Sequence, residues 1–527
     1  MDKENAYILA IDHGTSGAKT ALVDIHGKVL DWEFEEVPLI LSKGGGAEQD
    51  PDKWWSAICN TTKKLIDKTS ISADDIVGIC NTSQWSGTVP VDEDGNHLMN
   101  AIIWMDSRGA PYAKEFHKGL IQVDGYNLFK TLKCIKISGY APTLSGKDPM
   151  VHIWWLQKER PDIYKNVYKF LEPQDYINLK LTGEFASSGV TMFTHGIIDI
   201  RDINNLRYHD GLIKVLGLER KKLPDLKRTI DILGTVSSEV ADSLGLNKDT
   251  KVIMGAPDLC SATIGSGAVR DYEGHICIGT SSWLICPVPF KKTDIFHYIG
   301  TIPSAIPGKY QLSSEQEISG GCLSYLRDNI LYHKDELLVE EAVPDVYKIF
   351  DKIVETVEAG SGNLIFTPWL YGERTPVDDS TLRAGLYNLS LETTREHIIR
   401  AVFEGVAYNA RWLLFYIEKF IKRRMLEINM IGGGAKSDAW CQIVADVLNV
   451  KVNQVANPIQ ANAMGAAFIA SVALGYIQWE DIPRYNEFLN TYVPKSENKA
   501  IYNKLFKEYV NIYKEMSKIY RRLNEPH

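Results

Sequence analysis

Several features that mark common protein classes are missing from this 527-residue sequence. None of its eight cysteines forms a C-x-x-C pair, so we interpret them as buried thiols of a reducing compartment rather than as zinc ligands or a disulfide framework. No apolar run approaches the ~18 residues that predict a membrane span. The amino-terminal segment lacks the apolar core of a signal peptide. A cytoplasmic location and no membrane partner are therefore expected.

Positive charge is also scarce. The chain has 58 lysines and arginines against 67 acidic residues, which gives a net charge of −9. A protein that binds nucleic acid usually shows a basic excess or a basic cluster, so no nucleic-acid partner is expected. The remaining composition is ordinary, with 45% hydrophobic and 24% charged residues. It supports large packed cores and excludes intrinsic disorder.

A strand, a turn containing Gly and Thr, and a second strand occur twice in the chain. The pattern stands at 7–24 and again near 274–288, which suggests two related halves that each offer a hairpin turn to one ligand. Such a turn can present N–H groups and hydroxyls to phosphate, and Asp12 at the strand end is placed for an oxygen-ligand Mg²⁺ site. A plain glycine-rich hairpin explains the first segment equally well. A Walker P-loop does not, because Ala18 stands where that motif requires glycine.

Two later segments each allow a structural and a functional interpretation, and a third has a usual structural one. Asp258 follows a strand at 251–255 and precedes a helix of small residues, so it is either a helix N-cap or a carboxylate that accepts a hydroxyl proton. Three glycines at 432–434 form either a tight strand-to-helix turn or a surface that a flat ligand can approach closely. Glu373 and Arg374 are expected to form a surface ion pair. In each case the structural interpretation is the commoner one when the segment is taken alone.

Taken together and in order, these segments resemble the FGGY family of carbohydrate kinases, most closely its xylulokinase-like branch. The resemblance covers nearly the whole chain and is carried by residues 12–16, 48–55, 104–108, 175–176, 181–184, 255–261, 279–281, 372–376, 404–407 and 432–438. It implies an α/β protein with two actin-like, ribonuclease-H-like domains and a cleft between them that holds ATP, Mg²⁺ and a sugar. The expected division is 1–250 and 251–490, followed by an amphipathic packing helix within 491–527.

The resemblance also implies roles for individual residues. The expected nucleotide side consists of Asp12 as the Mg²⁺-associated carboxylate, Gly14, Thr15 and Ser16 as one phosphate turn, Gly279 and Thr280 as the second, and Gly434 and Ala435 against the adenine and ribose, with Gly321 a weaker candidate for that wall. The expected substrate side consists of Gln84, Trp85, Asp106 and Arg108, together with Asp258 as the general base. A phosphoryl transition state needs in-line positioning, charge neutralisation and a proton acceptor, and these groups would supply all three.

Two departures from the branch put its usual substrate, D-xylulose, in doubt. This chain has Trp85-Ser86 where xylulokinases carry Met-His, and Leu259 where they carry Asn after the base. A pocket that loses hydrogen-bonding groups loses the means to select a substrate built for them. The leading hypothesis is therefore an ATP-dependent kinase of a small sugar or polyol. Alternatives are a kinase for another ketose, glycerol, erythritol or gluconate and, from a different class, a non-catalytic actin-like nucleotide binder. A homodimer is left open.

Overall fold

Two six-stranded mixed sheets form the framework of the protein, in a computed structural model that describes residues 6–331 and 345–524. The first sheet has the order β5-β6-β4-β1-β2-β3 and consists of β1 Tyr7–Gly14, β2 Gly17–Asp24, β3 Val29–Glu36, β4 Ile76–Ser83, β5 Ile232–Thr235 and β6 Lys251–Ile253. The second has the order β9-β8-β7-β10-β11-β12 and consists of β7 Gly274–Ile278, β8 Ser282–Ile285, β9 Glu315–Gln316, β10 Glu427–Ile431, β11 Lys451–Val455 and β12 Phe488–Tyr492.

The two sheets repeat one pattern of strand directions. In each, a central strand (β1 or β7) forms an antiparallel hairpin with the next strand, which pairs with a third antiparallel strand. On its other side the central strand pairs with one parallel strand, which pairs with a second parallel strand, and that strand pairs with an antiparallel edge strand. The predicted α/β class with two ribonuclease-H-like units is therefore confirmed. Strand β6, at the start of the expected second unit, lies in the first sheet.

Helices cover both sheets and carry most connections between strands. Within the described residues they are α1 Pro51–Thr69, α2 Ala110–Phe116, α3 Leu128–Ser138, α4 Pro149–Glu159, α5 Pro161–Asn166, α6 Pro173–Thr182, α7 Asp210–Val215, α8 Ser238–Leu244, α9 Asp258–Gly265, α10 Gly321–Leu326, α11 Val346–Thr356, α12 Arg395–Ile421, α13 Asp438–Leu448, α14 Ala461–Ala473, α15 Ile482–Tyr485 and α16 Lys499–Asn524. No helix in these two ranges is long and apolar enough to cross a membrane.

Short strands form small sheets around this framework. They are Ile40–Ser42, Gly46–Gln49, Val89–Val91, Ala101–Ile102, Gln122–Val123, Tyr126–Asn127, Lys169–Leu171, Ala186–Ser188, Ile198–Asp199, Arg207–Tyr208, Asp225–Lys227, Pro287–Val288, Thr293–Asp294, Ile299–Pro303, Tyr310–Ser313, Ile365–Thr367 and Gly385–Tyr387. One of them interrupts residues 150–181, whose pattern of Trp, Leu and Tyr predicts helical structure. The prolines at positions 161 and 173 each begin a new helix, since proline cannot continue one, and Lys169–Leu171 is a strand between them.

Local signals fix several element boundaries. Asp50 caps α1 through a side-chain bond from Asp52 N (2.9 Å), and Pro51 occupies the first turn, as the sequence predicts. Central strand β1 is buried over Ile8–Ile11, at no more than 1% exposure, because helices cover both faces of the sheet's parallel part. The hairpin after β1 therefore starts from a rigid position.

Helix α14 joins the two halves. It lies late in the chain, yet it packs against α9 and against β1, β2 and β4 of the first sheet. The Phe468 ring fits where Gly27 has no side chain, since a Cβ at Gly27 would lie 2.2 Å from it. The first sheet is therefore covered partly by residues from the second half of the sequence.

The tail forms a packing helix. Tyr502, Leu505 and Tyr509 of α16 are buried. The Tyr502 hydroxyl donates to Glu404 Oε1 (2.9 Å), a carboxylate buried on α12. These contacts favour packing over a free partner-binding face.

Candidate active site

The β1–β2 hairpin carries the charged part of the site. Asp12 and Lys19 are directly opposite one another in the antiparallel register, and Lys19 Nζ lies 3.0 Å from Asp12 Oδ2. The same ammonium donates to the Ile459 carbonyl (3.0 Å), and Asn462 Nδ2 donates to Asp12 Oδ1 (3.4 Å). The end of β1 is therefore tied to the start of α14. Asp12 is 8% exposed, which leaves its carboxylate accessible at an otherwise buried strand end.

Side chains of the first half brace the turn that follows. Trp104 Nε1 donates to Thr15 Oγ1 (2.9 Å), and that hydroxyl donates to Gln84 Oε1 (3.2 Å). Gln84 Nε2 donates to Gln49 Oε1 (2.8 Å), and Gln49 Nε2 returns to the Thr15 carbonyl (2.8 Å). Because a hydroxyl has one hydrogen to donate, the Thr15 side chain has none left for a phosphate in this arrangement. Its backbone N–H and the exposed Ser16 remain as donors.

The second hairpin turn, at residues 279–281, is braced by backbone alone. Gly320 N donates to the Gly279 carbonyl (2.8 Å), and Gly321 N donates to the Thr280 carbonyl (3.2 Å). A Cβ at Gly320 would lie 2.5 Å from the Gly279 oxygen, so this approach requires glycine. The structure thus brings Gly321 directly against the second predicted phosphate turn.

The third turn is the 3₁₀ segment Gly433–Lys436 after β10. Position 434 requires glycine, because a Cβ there would lie 2.6 Å from the Ile278 side chain. The carbonyl of buried Ala435 accepts a bond from Gln454 Nε2 (2.8 Å). Contacts with Ile278 and Gln454 therefore hold this turn in place.

One glycine of each turn faces open space. A Cβ at Gly433 would meet nothing within 4 Å, and a Cβ at Gly14 or Gly279 would meet only one backbone oxygen of its own hairpin, at 3.9 and 3.6 Å. Side-chain-free backbone with room in front of it is what close approach by a phosphate or a flat ring needs. The residues present therefore fit a nucleotide. Carboxylate and hydroxyl oxygens at the first turn are also ligands that Mg²⁺ accepts, usually through water.

Asp258 is the first residue of α9, and Pro257 occupies the N-cap position. Its carboxylate accepts from the adjacent Leu259 N (2.7 Å), so it is not the helix cap that the structural interpretation proposed. The pKa of Asp258 is raised to about 7, chiefly by burial; the Leu259 bond opposes the rise, and the carboxylates of Asp12 and Glu315 add to it. A carboxyl group that titrates near neutral pH in a cleft is suited to exchanging a proton with a substrate.

Trp85 lies beside a row of aromatic rings. Its Nε1 donates to the Thr191 carbonyl (2.8 Å), and its ring centroid lies 6.2 Å from that of Phe193, which lies 5.4 Å from that of Tyr140. One side of the indole packs on the main core while the side chain remains half-buried. Both interpretations of Trp85, a core indole and a pocket wall, are compatible with this position.

Glu172 holds the segment after Trp85 and was missed by the sequence analysis. This 1% exposed carboxylate accepts from Gly87 N (2.8 Å) and from the Thr194 hydroxyl (3.2 Å). Between Trp85 and Gly87, Ser86 adopts a left-handed backbone conformation with φ of +64°, which is unfavourable for residues other than glycine. Burial, and then the Asp175 carboxylate, hold the pKa of Glu172 well above its usual range.

Asp106 and Arg108 make their bonds within the first half. Asp106, 1% exposed, accepts from Ala47 N (2.8 Å) and from Arg108 N and Nε (2.9 and 2.8 Å). The Arg108 guanidinium also lies 2.6 Å from Glu48 and stacks 4.0 Å from the Trp155 ring centroid. The Asp106 acceptors are largely used, so these two residues mainly anchor the loop near Gln84.

The expected surface ion pair between Glu373 and Arg374 is wrong. Glu373 is buried at 3% exposure and accepts from Glu317 N (3.0 Å) and Arg374 N (2.8 Å). The Arg374 guanidinium instead binds Glu315 Oε2 (2.6 Å) and Glu317 Oε1 (2.5 Å). Backbone N–H groups occupy the Glu373 carboxylate, and Arg374 pairs instead with Glu315 and Glu317 of the β9 segment.

Groups of the first half face this cluster. Burial lowers the pKa of half-buried Lys147, and the Arg374 guanidinium lowers it further while Glu317 opposes the change. Glu315, which acts on Asp258, also helps to raise the pKa of Tyr140. The aromatic row that contains Tyr140 therefore lies near the β9 carboxylates.

A carboxylate able to accept a proton, together with turns that have room for phosphate, suits phosphoryl transfer. The model for the N-terminal domain of the FGGY family of carbohydrate kinases matches residues 7–265, and the model for its C-terminal domain matches 274–474. The chain belongs to this family. It is an enzyme that transfers a phosphoryl group to a hydroxyl of a sugar or polyol, and it is xylulokinase-like.

Individual relatives agree with this placement. The xylulose kinase of Bacillus subtilis (strain 168) is 28% identical over 518 residues, covering 96% of each chain. The structure of gluconate kinase from Lactobacillus acidophilus superposes with a TM-score of 0.84 at 26% identity, covering 98% of this chain and 99% of the other. The ligand-bound xylulose kinase from the same organism gives 0.84 at 26% identity, with 98% and 100% covered.

Two site residues that the sequence analysis missed had a signal. Lys19 is the cross-strand partner of Asp12, and the two-residue turn between β1 and β2 would have predicted that register. Glu172 precedes a proline and stands three residues before Asp175, with which it forms a capping box. For Lys147 and Glu315 we find no comparable local pattern, because their partners come from distant parts of the chain.

Proposed function

We propose that this enzyme phosphorylates a hydroxyl of a small sugar or polyol with ATP as the donor, and that Asp258 is its general base. The observation that carries the proposal is the position of Asp258 at the start of α9, with a pKa raised by burial to about 7. As a carboxylate it would accept the hydroxyl proton while the oxygen attacks the transferred phosphoryl group. The proton would rest on Asp258 until product leaves.

The nucleotide would be held by the three glycine turns. Gly14, Thr15 and Ser16 would offer backbone N–H groups and the Ser16 hydroxyl to the phosphates, and Gly279 and Thr280 would do so from the opposite sheet. Gly434 and Ala435, with Gly433 in front of them and Gly321 to one side, would form the adenine and ribose wall. The support is the open space in front of Gly14, Gly279 and Gly433.

Asp12 would hold Mg²⁺ through water, and the ion would neutralise negative charge on the phosphates. Lys19 keeps the Asp12 carboxylate oriented along the strand end, at 3.0 Å. The Asp12 carboxylate also acts on the Asp258 pKa, so charge placed at one of them is felt at the other. These two acids define the reacting end of the cleft in the proposal.

The sugar would lie between Asp258 and the aromatic row. Gln84 and Trp85 would line the pocket, with Asp106 and Arg108 fixing the loop near Gln84. Ser86 and Leu259 replace the imidazole and the amide that xylulokinases carry, and Trp85 adds a bulky indole, so we propose a substrate other than xylulose within the same class. Leu259 is buried at 6% exposure, which fits an apolar contact better than a hydroxyl partner.

The combined change Trp85→Met, Ser86→His and Leu259→Asn is expected to shift preference toward D-xylulose. The histidine and the asparagine restore the polar partners that xylulokinases carry at these positions, and a site built for a hydroxyl discriminates far more strongly than an apolar one. Values of kcat/KM for D-xylulose, glycerol, erythritol and D-gluconate should be compared in both proteins. Unchanged ratios, with Trp85→Phe altering stability alone, would assign Trp85 to the core.

Release of ADP with and without a panel of sugars, polyols and sugar acids tests the reaction. Turnover should depend on one acceptor and on Mg²⁺, and phosphorylated product should form in step with ADP. ATP hydrolysis that no acceptor stimulates would instead favour the actin-like nucleotide binder.

The cytoplasmic location and the domain boundaries at 250 and 490 remain predictions. The free, mostly buried cysteines suit a reducing compartment.

A further inference from the structure

A ring of three hydrogen bonds joins the loop at Gln84 to the first phosphate turn. Thr15 Oγ1 donates to Gln84 Oε1 (3.2 Å), Gln84 Nε2 donates to Gln49 Oε1 (2.8 Å), and Gln49 Nε2 donates to the Thr15 carbonyl (2.8 Å). Gln84 N also donates to the His13 carbonyl (2.7 Å), which continues the parallel pairing of β1 and β4 by one residue. The two segments are therefore joined by backbone and side chains together.

The Gln84 side chain has a protein partner for each of its polar hydrogens. Of the two hydrogens on Nε2, one is donated to Gln49 Oε1 and the other faces His13 Nε2 at 3.3 Å, while Oε1 accepts from the Thr15 hydroxyl. Gln84 is only 3% exposed. Neither amide hydrogen is left for a sugar hydroxyl, so these hydrogens bind the protein rather than a substrate.

His13 is in the ionisation state that this arrangement needs. It is completely buried, and its ring centroid lies 4.7 Å from that of Trp54. Burial lowers the pKa of His13 to about 4, against the opposing effect of the Asp12 carboxylate, so the imidazole is neutral near pH 7. A neutral imidazole has one ring nitrogen that accepts a hydrogen bond, and Nε2 can therefore accept from Gln84.

Two indoles hold the ring in place. Trp104 Nε1 donates to Thr15 Oγ1 (2.9 Å), and Trp54 Nε1 donates to Gln49 Oε1 (3.2 Å). Every side-chain nitrogen and oxygen of Thr15, Gln49 and Gln84 has a hydrogen-bond partner. A polar network whose members are satisfied rigidifies the structure around it and specifies one arrangement. The network therefore fixes the distance between the Gln84 loop and the phosphate turn.

Each end of the ring leads into one of the two proposed binding segments. Thr15 precedes Ser16 in the first phosphate turn, and Gln84 precedes Trp85 of the expected sugar pocket. A transfer needs its reacting atoms about 3–3.5 Å apart, and a misplacement of about 1 Å can lower the rate about 100-fold. A fixed distance between these segments is therefore a requirement of the reaction as well as of the fold.

We propose that Thr15 and Gln84 are positioning residues whose shared bond keeps the acceptor hydroxyl aligned with the transferred phosphoryl group. This inference rests on the proposed function, because it takes the two segments to hold acceptor and phosphate. Without the bond, both substrates would still bind but transfer would slow. Water would replace the acceptor more often: its oxygen would attack the terminal phosphorus of ATP as the bond to the ADP oxygen breaks, which gives ADP, inorganic phosphate and a proton.

Thr15→Val and Gln84→Met break the bond with little change in side-chain size. The acceptor for the test is whichever of D-xylulose, glycerol, erythritol and D-gluconate gives wild type the highest kcat/KM. Each variant should lower kcat at least tenfold, change the KM of acceptor and ATP by less than threefold, and release more inorganic phosphate per ADP. Thr15→Ser, which keeps the hydroxyl, should restore most of kcat. An unchanged kcat with a tenfold higher acceptor KM in Gln84→Met would make Gln84 a sugar ligand and overturn the proposal.

A double variant and a matched control complete the test. Since both changes break one bond, kcat of Thr15→Val combined with Gln84→Met should lie within about threefold of the more impaired single variant. Thr20→Val should keep wild-type kcat and phosphate release, because this buried hydroxyl on β2 has no hydrogen-bond partner among the described residues. Thr15→Val alone tests the proposal if Gln84→Met fails to fold. Losses that multiply in the double variant, or that a lower folded fraction in thermal unfolding explains, would refute it.

The outcomes also separate this inference from the proposed function. A wild-type enzyme that no acceptor stimulates would contradict both. Acceptor-dependent turnover in wild type, with kcat and phosphate release unchanged in Thr15→Val, would support the proposed function and refute the positioning role.

Discussion

In the first half of the molecule the hairpin at the cleft carries a charged pair, Asp12 and Lys19, whereas the matching hairpin of the second half has no acidic or basic residue other than buried His275. Burial lowers the pKa of His275 to about 3, so it is neutral near pH 7. Side chains brace the first turn, through Thr15 and its glutamine partners. Backbone N–H groups alone brace the second.

This difference indicates that the two hairpin turns, although they occupy matching positions in the two sheets, contribute differently to the site. The turn with side-chain bracing shares Gln84 with the expected sugar pocket, so changes on the sugar side can reach the first phosphate turn. The turn with backbone bracing has no such link. We therefore expect substitutions of the first turn to alter catalysis, and substitutions of side chains on the second to matter little.

The largest effect is expected for Asp258→Asn. Loss of a general base lowers kcat by roughly 10²–10⁴-fold, while the amide keeps the shape of the side chain. Thermal unfolding and nucleotide binding should stay near wild type, as in the control Asp162→Asn, an exposed acid on α5. Wild-type turnover together with early melting would show that Asp258 serves folding only.

A direct test of the comparison pairs Asp12→Asn with Thr280→Ala. A carboxylate that acts on a metal through water is typically worth about 10–100-fold in activity or metal affinity, and the Asp12 variant should also need more Mg²⁺. Thr280→Ala should change kcat by less than about threefold, since its side chain is exposed and its carbonyl makes the contact. A tenfold loss in Thr280→Ala would break the proposed asymmetry.

The raised pKa of Asp258 predicts a pH dependence. A base works only when ionised, so with a pKa of about 7 kcat/KM should rise about tenfold between pH 6 and pH 8 and then level off. Steady-state rates in buffers of constant ionic strength would measure this profile. The residual activity of Asp258→Asn should lack the rise. A wild-type profile that is flat over this range would contradict the assignment.

The smallest effect concerns the segment that Glu172 holds. Glu172→Leu removes the acceptor of Gly87 N and of the Thr194 hydroxyl, and leaving such groups unpaired costs about 1–3 kcal/mol of stability. The acceptor sugar's KM should rise severalfold while the ATP KM stays unchanged. Glu172→Gln, which retains an accepting oxygen, should restore much of the sugar affinity. Equal changes in both KM values would make Glu172 a general stability residue.

Local signals made much of the fold predictable. The Asp50-Pro51 helix start and the β1–β2 hairpin depend on caps and turns, and the structure has them where the sequence predicts them. The helical pattern over 150–181 is interrupted in the structure by two prolines and a buried strand. The pattern of apolar residues alone could not show that a strand lay between helices.

Partner choice in the site was not predictable in the same way. Arg374 pairs with Glu315 and Glu317, nearly 60 positions away, rather than with adjacent Glu373. The carboxylate that pairs with an arginine depends on how distant segments pack. It also depends on which carboxylates already accept hydrogen bonds from backbone N–H groups, as Glu373 does. The individual glycine turns were visible in the sequence, but the open space before Gly433 was not.

Helix α14 has a consequence for how the chain is made. The strands of the first sheet up to β4 are complete at Ser83, whereas α14 begins at Ala461. At a translation rate of roughly 5–20 residues per second, about 20–75 s separate the two on the ribosome. Throughout that interval the apolar face that includes Ile8, Ala10 and Val23 lacks α14, which helps to cover it in the folded protein. The nascent chain therefore exposes an apolar surface of the first sheet through most of its synthesis. A helix from the last quarter of the chain completes the core that the first quarter begins.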